Sequence, residues 1–396
     1  MQDSYPNGDR RDAQTAGGPS GEAVIGTVSE TAPGERRAAI VPETVARFTS
    51  AGFGVLVQSG VGAGARFTDR DYEEAGARVA ESAGAVASEA DVLVQVQPPG
   101  DGVISSLKEG AIVVSFLHPA AHGDVVSALA RRRVTAFGLD LLPRISRAQS
   151  MDALSSQASV AGYMAALIAA ARLPKFFPML TTAAGTIPPA KVLVLGAGVA
   201  GLQSIATARR LGAVVEAYDV RAAAKEEVES LGARFVELPL EAQEGAGGYA
   251  REQSEEFLAR QRELIAERVA ASDAVITTAA VPGRKAPVLV TSDMVAGMRP
   301  GSVIVDLAAE SGGNCELSIA GEEVEHAGVL IYGARNLPSA MATHASQLYA
   351  RNVANFVLDM ASEGRVGPDF DDPVVEATCL THDGAVVHPD AKAAAS

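Results

Sequence analysis

Short apolar runs alternate with longer stretches of helical period along most of this chain. Between positions 23 and 134, AVIGTVSE, FGVLVQSG, VLVQVQ and AIVVSFLH have the apolar density and β-branched content of strands. VPETVARFTSAG, RDYEEAGARVA and HGDVVSALARRR read as helices, and VTAFGLDLL adds a further strand. A second series occupies 189–333, with KVLVLGAG, VVEAYDV, RFVELP, AVITTAA, GSVIVDLA and VLIYGA as strands. Such alternation predicts parallel sheets covered by helices on both faces. The expected fold class is α/β: two Rossmann-like, doubly wound parallel-sheet domains with a cleft between them. The small apolar stretch ASVAGYMAALIAAARL predicts a packed helix joining the two series. HASQLYARNVANFVLDMA, with Leu348, Val353 and Phe356 among its apolar positions, predicts a long helix that returns to the first domain. The expected division is a disordered tail at 1–22, a discontinuous first domain at 23–150 plus 340–396, and a second domain at 151–339. From 369 onward the sequence reads as short strand or tail, and EAQEGAGGYA, 241–250, as a mobile loop.

Composition narrows the function classes. Apolar residues make up 47% and charged ones 20% of the 396 residues, as in soluble globular domains. The formal net charge of −15 argues against broad attraction to nucleic acid or anionic lipid, so an anionic ligand needs a local binding device. Two cysteines, Cys315 and Cys379, in no CxxC spacing suit a reducing cytoplasm and predict neither a disulfide framework nor a metal site. Apolar runs such as VAGYMAALIAAARL fall short of the ~18 to 20 residues that span a bilayer, so no membrane span is expected. The polar N-terminus has no apolar signal region.

The local device is in KVLVLGAGVAGLQSIATARRLGAVVEAYDVR. Gly196, Gly198 and Gly201 form GxGxxG after an apolar strand and before an apolar helix, and a second strand ends at Asp219, 18 residues beyond Gly201. That context is a dinucleotide-binding βαβ unit. Gly196 permits the tight turn, Gly198 lets the backbone approach a pyrophosphate, and Gly201 lets helix and strand pack closely. The helix N-terminus supplies free N–H groups and partial positive charge. Asp219 is placed to accept from adenosine ribose hydroxyls and to repel a 2′-phosphate, which favours NAD(H), although Arg221 nearby is a type that can pair with such a phosphate. SGVGAGARFTD, 59–69, also matches the glycine spacing but is followed by Arg66 and Phe67 rather than a helix, and reads as a loop. His118 in SFLHPA faces the cleft, more in a structural than a catalytic role. Asp306 in VIVDLAAESGGN is expected to cap the following turn.

One polar interlude stands between two apolar elements. PRISRAQSMDALSS, 143–156, concentrates arginine, glutamine, aspartate and hydroxyl groups before the joining helix. By composition it is either a ligand-contacting loop or a helix-start loop, with Ser150 or Asp152 as N-cap and Arg144 and Arg147 solvated.

From position 23 to the C-terminus the chain resembles the alanine dehydrogenase and proton-translocating transhydrogenase superfamily. SMDALSSQASVAGY, FFPMLTTAAGTIPPAKVLVLGAGVAGLQ, AGGYAREQSEEF, PGSVIVDLAAESGGNCEL and ASQLYARNVANF are similar to the NAD(H)-binding component of NAD(P) transhydrogenases. The resemblance implies direct hydride transfer between NADH on this chain and NADP⁺ on a partner component, coupled to proton translocation. It implies a transmembrane subunit and an NADP(H)-binding subunit as partners, a homodimer, and a cytoplasmic location on the inner face of the cell membrane. It places Arg144, Gln149, Asp152 and Ser155 around the nicotinamide end of the nucleotide. It carries Val199, Asp219, Val220, Arg221, Gly248, Gln261 and Ala280 over as nucleotide contacts, with Tyr249 closing over the adenosine side. The alternative within the superfamily is alanine dehydrogenase. There an arginine stands where this chain has Arg37, a histidine where it has His118, and a lysine where it has Gln97. Glutamine cannot carry the lysine's charge or proton. A non-catalytic NAD-sensing module is the third possibility.

Overall fold

The structure, a computed structural model, describes residues 22–237, 255–280 and 285–395. An eight-stranded sheet runs laterally through Ala385–Val386, Cys379–His382, Thr135–Gly138, Ile112–Ser115, Val92–Val94, Val24–Thr27, Gly54–Gln58 and Arg78–Ala80. The last six strands in that order are parallel. Their central members are apolar on both faces, because alternate residues enter separate cores. Ile25, Val55 and Val94 pack on one side, and Leu56, Leu93 and Val113 on the other.

The expected parallel sheet carries an antiparallel edge. Cys379–His382 joins antiparallel to Thr135–Gly138, and Ala385–Val386 folds back on it. Of the two readings of the segment from 369, short strand or tail, the structure has the short strands, and Val374, Val375 and Cys379 are buried in the first domain's core. RDYEEAGARVA is also corrected. Its helix is Asp69–Glu74, N-capped by Thr68, and Gly76 at φ 100° then turns the chain into the strand Arg78–Ala80.

The second sheet has seven strands in the order Arg234–Phe235, Val214–Tyr218, Lys191–Leu195, Ala274–Thr277, Val303–Asp306, Val329–Gly333 and Glu323–His326. The strand order reverses between Lys191–Leu195 and Ala274–Thr277, which are parallel neighbours. A crevice at the carboxyl ends of strands flanking such a reversal is where open α/β sheets bind ligands. Only the edge strand Glu323–His326 is antiparallel in this sheet.

The linker helix, Ala153–Arg172, joins the two series. Its 20 residues and mean hydropathy of 1.3 reach what a bilayer span requires, so the expected shortfall is not observed. In this fold the helix is engaged from both sides. Ala165, Ala166 and Ala169 are fully buried in the core of the second domain. Gln157 accepts from Arg37 Nη1 at 3.0 Å and donates to the Ala345 carbonyl at 3.0 Å. The return helix, Ala342–Asp359, buries Tyr349, Val353, Phe356 and Val357 in the first domain. The Tyr349 hydroxyl donates to the Gln95 carbonyl at 2.7 Å.

Candidate dinucleotide site

The glycine turn sits at the strand reversal. Gly196, at φ 98°, leaves the strand, and Thr278 Oγ1 donates to its carbonyl at 3.0 Å. A Cβ on Gly196 would lie 2.7 Å from Thr278 Oγ1, and one on Gly201 would lie 1.9 Å from the Gly196 carbonyl oxygen. Those two glycines are required by the chain's own packing. Gly198 is different: a Cβ there meets nothing within 4 Å, and its backbone, at φ −73° and ψ −170°, suits any residue. Space at this position leaves room for a group from outside the chain. The next helix, Val199–Arg210, makes its first intrahelical bond from Leu202 N–H to the Gly198 carbonyl, 2.8 Å, so the earlier N–H groups point out of the helix end. A bare helix N-terminus beside an open glycine fits the phosphates of a dinucleotide. The 59–69 stretch contrasts with it. A Cβ on Gly62 would approach Tyr72 at 2.7 Å, and one on Gly64 the Arg36 carbonyl at 2.6 Å. Those glycines serve close intrachain contacts, as expected of a loop.

Asp219 directly follows the strand Val214–Tyr218, and its carboxylate is engaged on every side. Oδ2 accepts from Ala197 N–H at 2.7 Å and from Arg221 Nη2 at 3.1 Å. Oδ1 accepts from the Arg221 backbone at 2.8 Å and from its Nε at 3.0 Å. The carboxylate therefore splints the glycine turn, and the Arg221 guanidinium lies back on Asp219 and the Ala197 carbonyl. Val220 follows, half-buried. Gln261 is buried on the helix Glu255–Ala271, and its Nε2 donates to the Tyr218 hydroxyl at 3.0 Å, bracing the residue before Asp219. Ala280 is exposed beyond the strand Ala274–Thr277, at the crevice. Gly248 and Tyr249 lie outside the described residues.

Sequence reasoning missed Asn314, which is fully buried. Its Oδ1 accepts from Ala279 N–H at 2.9 Å, and its Nδ2 donates to the Ala279 and Pro287 carbonyls, both at 2.8 Å. It thereby sets the backbone just before Ala280. The signal was a polar residue in GGNC, one short turn beyond the strand Val303–Asp306. Asp306 caps its turn, accepting from Ala308 N–H at 2.9 Å and Cys315 N–H at 3.0 Å.

The polar interlude forms a 3₁₀ turn, Ser146–Met151, that buries Ala148 and Met151 in the first domain's core and leaves Arg144 and Gln149 at the surface. Asp152 is the N-cap of the linker helix: Oδ1 accepts from Ser155 N–H at 2.8 Å, and Oδ2 from the Ser155 hydroxyl at 2.6 Å. Arg147, left unexplained by the sequence, bridges Asp359 at 2.9 Å and Asp372. Seven residues after Ser155, about 10 Å along the helix, Gly162 meets Ala200 of the glycine-turn helix. A Cβ on Gly162 would be 2.1 Å from the Ala200 carbonyl oxygen. One helix pair thus sets the spacing between the polar loop and the glycine turn. An open groove of about 370 Å³ on the outer side of this pair includes Val199 but is lined mainly by residues remote from the crevice, such as Glu227 and Leu231.

Between the domains lies a second charged cluster. Arg37 is buried and pairs with Glu35 through Nη2 at 2.6 Å and Nε at 2.7 Å. Gln97 Nε2 donates to the same carboxylate at 2.9 Å. Burial alone pushes the Glu35 carboxyl up, but Arg37, Gln97 and Ser339 outweigh it and hold it at about 2. Glu30 keeps part of its surface, yet its carboxylate is enclosed. Burial pushes it up to about 8 against the opposing N–H donors of Val96 and Gln97. His118 stacks on Phe116, with Nδ1 3.5 Å from Asp140 Oδ2.

Among known proteins, the alanine dehydrogenase/PNT N-terminal domain matches residues 26–161, and the alanine dehydrogenase/PNT C-terminal domain matches 165–389. The chain is 49% identical over 376 residues to the first part of NAD(P) transhydrogenase subunit alpha from Rhodospirillum rubrum, covering 92% of this chain and 98% of that protein. A crystal structure of transhydrogenase from Sinorhizobium meliloti superposes with a TM-score of 0.84 at 47% identity, covering 92% of this chain and 100% of the other. Alanine dehydrogenase of Mycobacterium tuberculosis is more distant, 30% identical over 92% of this chain and 94% of its own length.

Proposed function

The chain belongs to the alanine dehydrogenase/PNT family, among the NAD(P) transhydrogenase alpha subunits, and from that premise we propose that it is the NAD(H)-binding subunit of a proton-translocating transhydrogenase. Its partners in this reading are a transmembrane subunit and an NADP(H)-binding subunit. It works as a homodimer on the inner face of the cell membrane. Residues 23–150 plus 340–396 act as one domain and 151–339 as the NAD(H)-binding domain. The observation that carries the dinucleotide part of the reading is Gly198, the one glycine of the motif that internal packing does not need, beside a bare helix N-terminus at the strand reversal.

Bound NAD(H) supplies a hydride that passes directly to a second nicotinamide, a step that needs no protein acid, base or metal. The chain's task is positioning and exclusion of water. The N–H groups of Val199 to Gly201 take the pyrophosphate. Asp219 takes the adenosine ribose and disfavours a 2′-phosphate, with Val220, Arg221 and Gln261 beside it, and Gly248 and Tyr249 are further nucleotide contacts in this reading. Ala280 lies against the nicotinamide side. Arg144, Gln149, Asp152 and Ser155 hold the nicotinamide end where the partner docks. Alanine oxidation is disfavoured because Gln97, bonded to Glu35, has no proton to give or take in the pH range of life.

The test is a mixing assay. Purified chain, NADH, an NADP⁺ analogue of distinct absorbance and an isolated NADP(H)-binding component should exchange hydride, and omission of either protein should abolish it. Pyruvate amination is measured in parallel. Robust amination by this chain alone overturns the transhydrogenase reading in favour of alanine dehydrogenase. Tight NADH binding with no exchange favours a sensing module.

A further inference from the structure

The return helix carries a polar stripe that its apolar packing does not account for. Asn352, Asn355 and Asp359 are spaced three and four residues apart, on one face of Ala342–Asp359. All three engage the same short segment, the turn Ser146–Met151. Asn352 Nδ2 donates to the Ser150 carbonyl at 2.9 Å, and Asn355 Nδ2 donates to that same oxygen at 2.7 Å. Asp359 takes Arg147 at 2.9 Å.

Two amide donors on one carbonyl occupy both of its lone pairs and fix its direction as well as its position. Each amide is itself anchored at its other end. Asn352 Oδ1 accepts from the Ser156 hydroxyl at 2.7 Å, in the first turn of the linker helix. Asn355 Oδ1 accepts from Arg47 Nη2 at 2.7 Å, on the helix Pro42–Ser50. Ser150 itself is exposed, so water can serve its carbonyl if the amides are removed. The fold therefore gains little stability from committing two side chains here. What they supply is a defined backbone between Gln149 and Asp152.

We propose that Asn352 and Asn355 are positioning residues for hydride transfer, clamping the Ser150 carbonyl so that Gln149 and Asp152 meet the nicotinamide end in a single geometry. The inference rests on the transhydrogenase reading above. Both asparagines are committed to Ser150, Ser156 and Arg47 and neither is among the proposed nucleotide contacts, so their removal should slow transfer without a matching loss of NADH affinity. Loosening a reacting geometry by about 1 Å is expected to cost on the order of 10²-fold in rate. Either amide alone still holds one lone pair, so the single alanine variants should lose roughly threefold or less and the double variant far more.

The experiment uses the full chain in the mixing assay, with NADH affinity by fluorescence and thermal unfolding measured on the same preparations. Asn352→Ala/Asn355→Ala should transfer hydride at least ~10-fold more slowly at saturating NADH, with the NADH Kd within ~3-fold of wild type. Asn352 is buried, so a second variant guards against misfolding. Asn355→Asp keeps the acceptor facing Arg47 but turns an oxygen onto the Ser150 carbonyl, and it should reproduce the rate loss. Wild-type transfer rates in both variants overturn the clamp while leaving the functional reading intact. So does a rate loss that merely tracks lost NADH binding or lost folded protein. If the wild-type chain itself exchanges no hydride with the partner component, both fall.

Discussion

Replacement of Gly198 by alanine separates ligand contact from internal packing. The added methyl meets nothing within 4 Å, and the backbone at φ −73° and ψ −170° accepts it without strain. On stability alone the variant should gain, by about 0.4 to 1 kcal/mol, because alanine narrows the unfolded ensemble. The same methyl stands where a phosphate must approach the N–H groups of the helix Val199–Arg210. Loss of one charge-assisted hydrogen bond costs about 1.5 to 3 kcal/mol, which is roughly a 10- to 150-fold rise in Kd. NADH fluorescence titration and thermal unfolding of the same sample measure the two effects. The expected result is an unfolding temperature unchanged or slightly raised, together with weakened NADH binding. Gly201→Ala is the internal contrast. Its methyl would sit 1.9 Å from the Gly196 carbonyl oxygen, so it should lose stability as well as binding. Wild-type NADH affinity in Gly198→Ala would refute a phosphate at this turn, and a marked loss of unfolding temperature would refute the open space on which the reasoning depends.

Gly162→Ala should lower the unfolding temperature and weaken NADH binding together, since its methyl would lie 2.1 Å from the Ala200 carbonyl oxygen. The overpacking costs about 1 to 3 kcal/mol, and unchanged calorimetry would show the helix pair to be more yielding than drawn. The chain should bind NADH at least ~10-fold more tightly than NADPH, a difference of about 1.4 kcal/mol. Equal titrations would remove Asp219 as the discriminating carboxylate. Gln149→Asn should slow hydride transfer in the mixing assay more than it weakens NADH binding, and an unaltered rate would take Gln149 out of the site. Glu30, raised to about 8, binds its proton more tightly folded than unfolded, so its contribution to stability is full below about pH 4.5 and is lost as pH rises toward 8. Glu35, held at about 2, contributes in the opposite sense: its share is present above about pH 4.5 and is lost as pH falls toward 2. Unfolding temperatures of wild type and Glu30→Gln across pH 5 to 9 should therefore converge at the acid end and shift in favour of the variant at the alkaline end. Parallel curves would mean that Glu30 does not titrate in this range.

What the sequence determined on its own was whatever is encoded within a few residues. Strands buried on both faces, such as Val92–Val94 and Val303–Asp306, announce themselves as short runs of apolar, mostly β-branched residues. The glycine turn could be read because its three glycines, its strand and its helix are contiguous, and two of the glycines, Gly196 and Gly201, answer to a local steric demand. The antiparallel edge Cys379–His382 escaped because its pairing partner, Thr135–Gly138, lies some 240 residues away, and nothing in TCLTHD specifies which edge it will extend. The same holds within the candidate site. Arg147 looked like a solvated loop residue, yet its partners are Asp359 and Asp372. Asn352 and Asn355 lie in a stretch that the sequence marks only as a long helix, yet both converge on Ser150. Asp219 was legible as a carboxylate at the right distance from the glycines. Only the tertiary structure decided that it splints Ala197 and holds Arg221 against itself. Hydrophobic period is a local property, since it reports which face a residue shows. Hydrogen-bond partnership between distant side chains is set only when packing brings two elements together, and that is why the ligand class could be read from the chain while the means of holding the site in place required the fold.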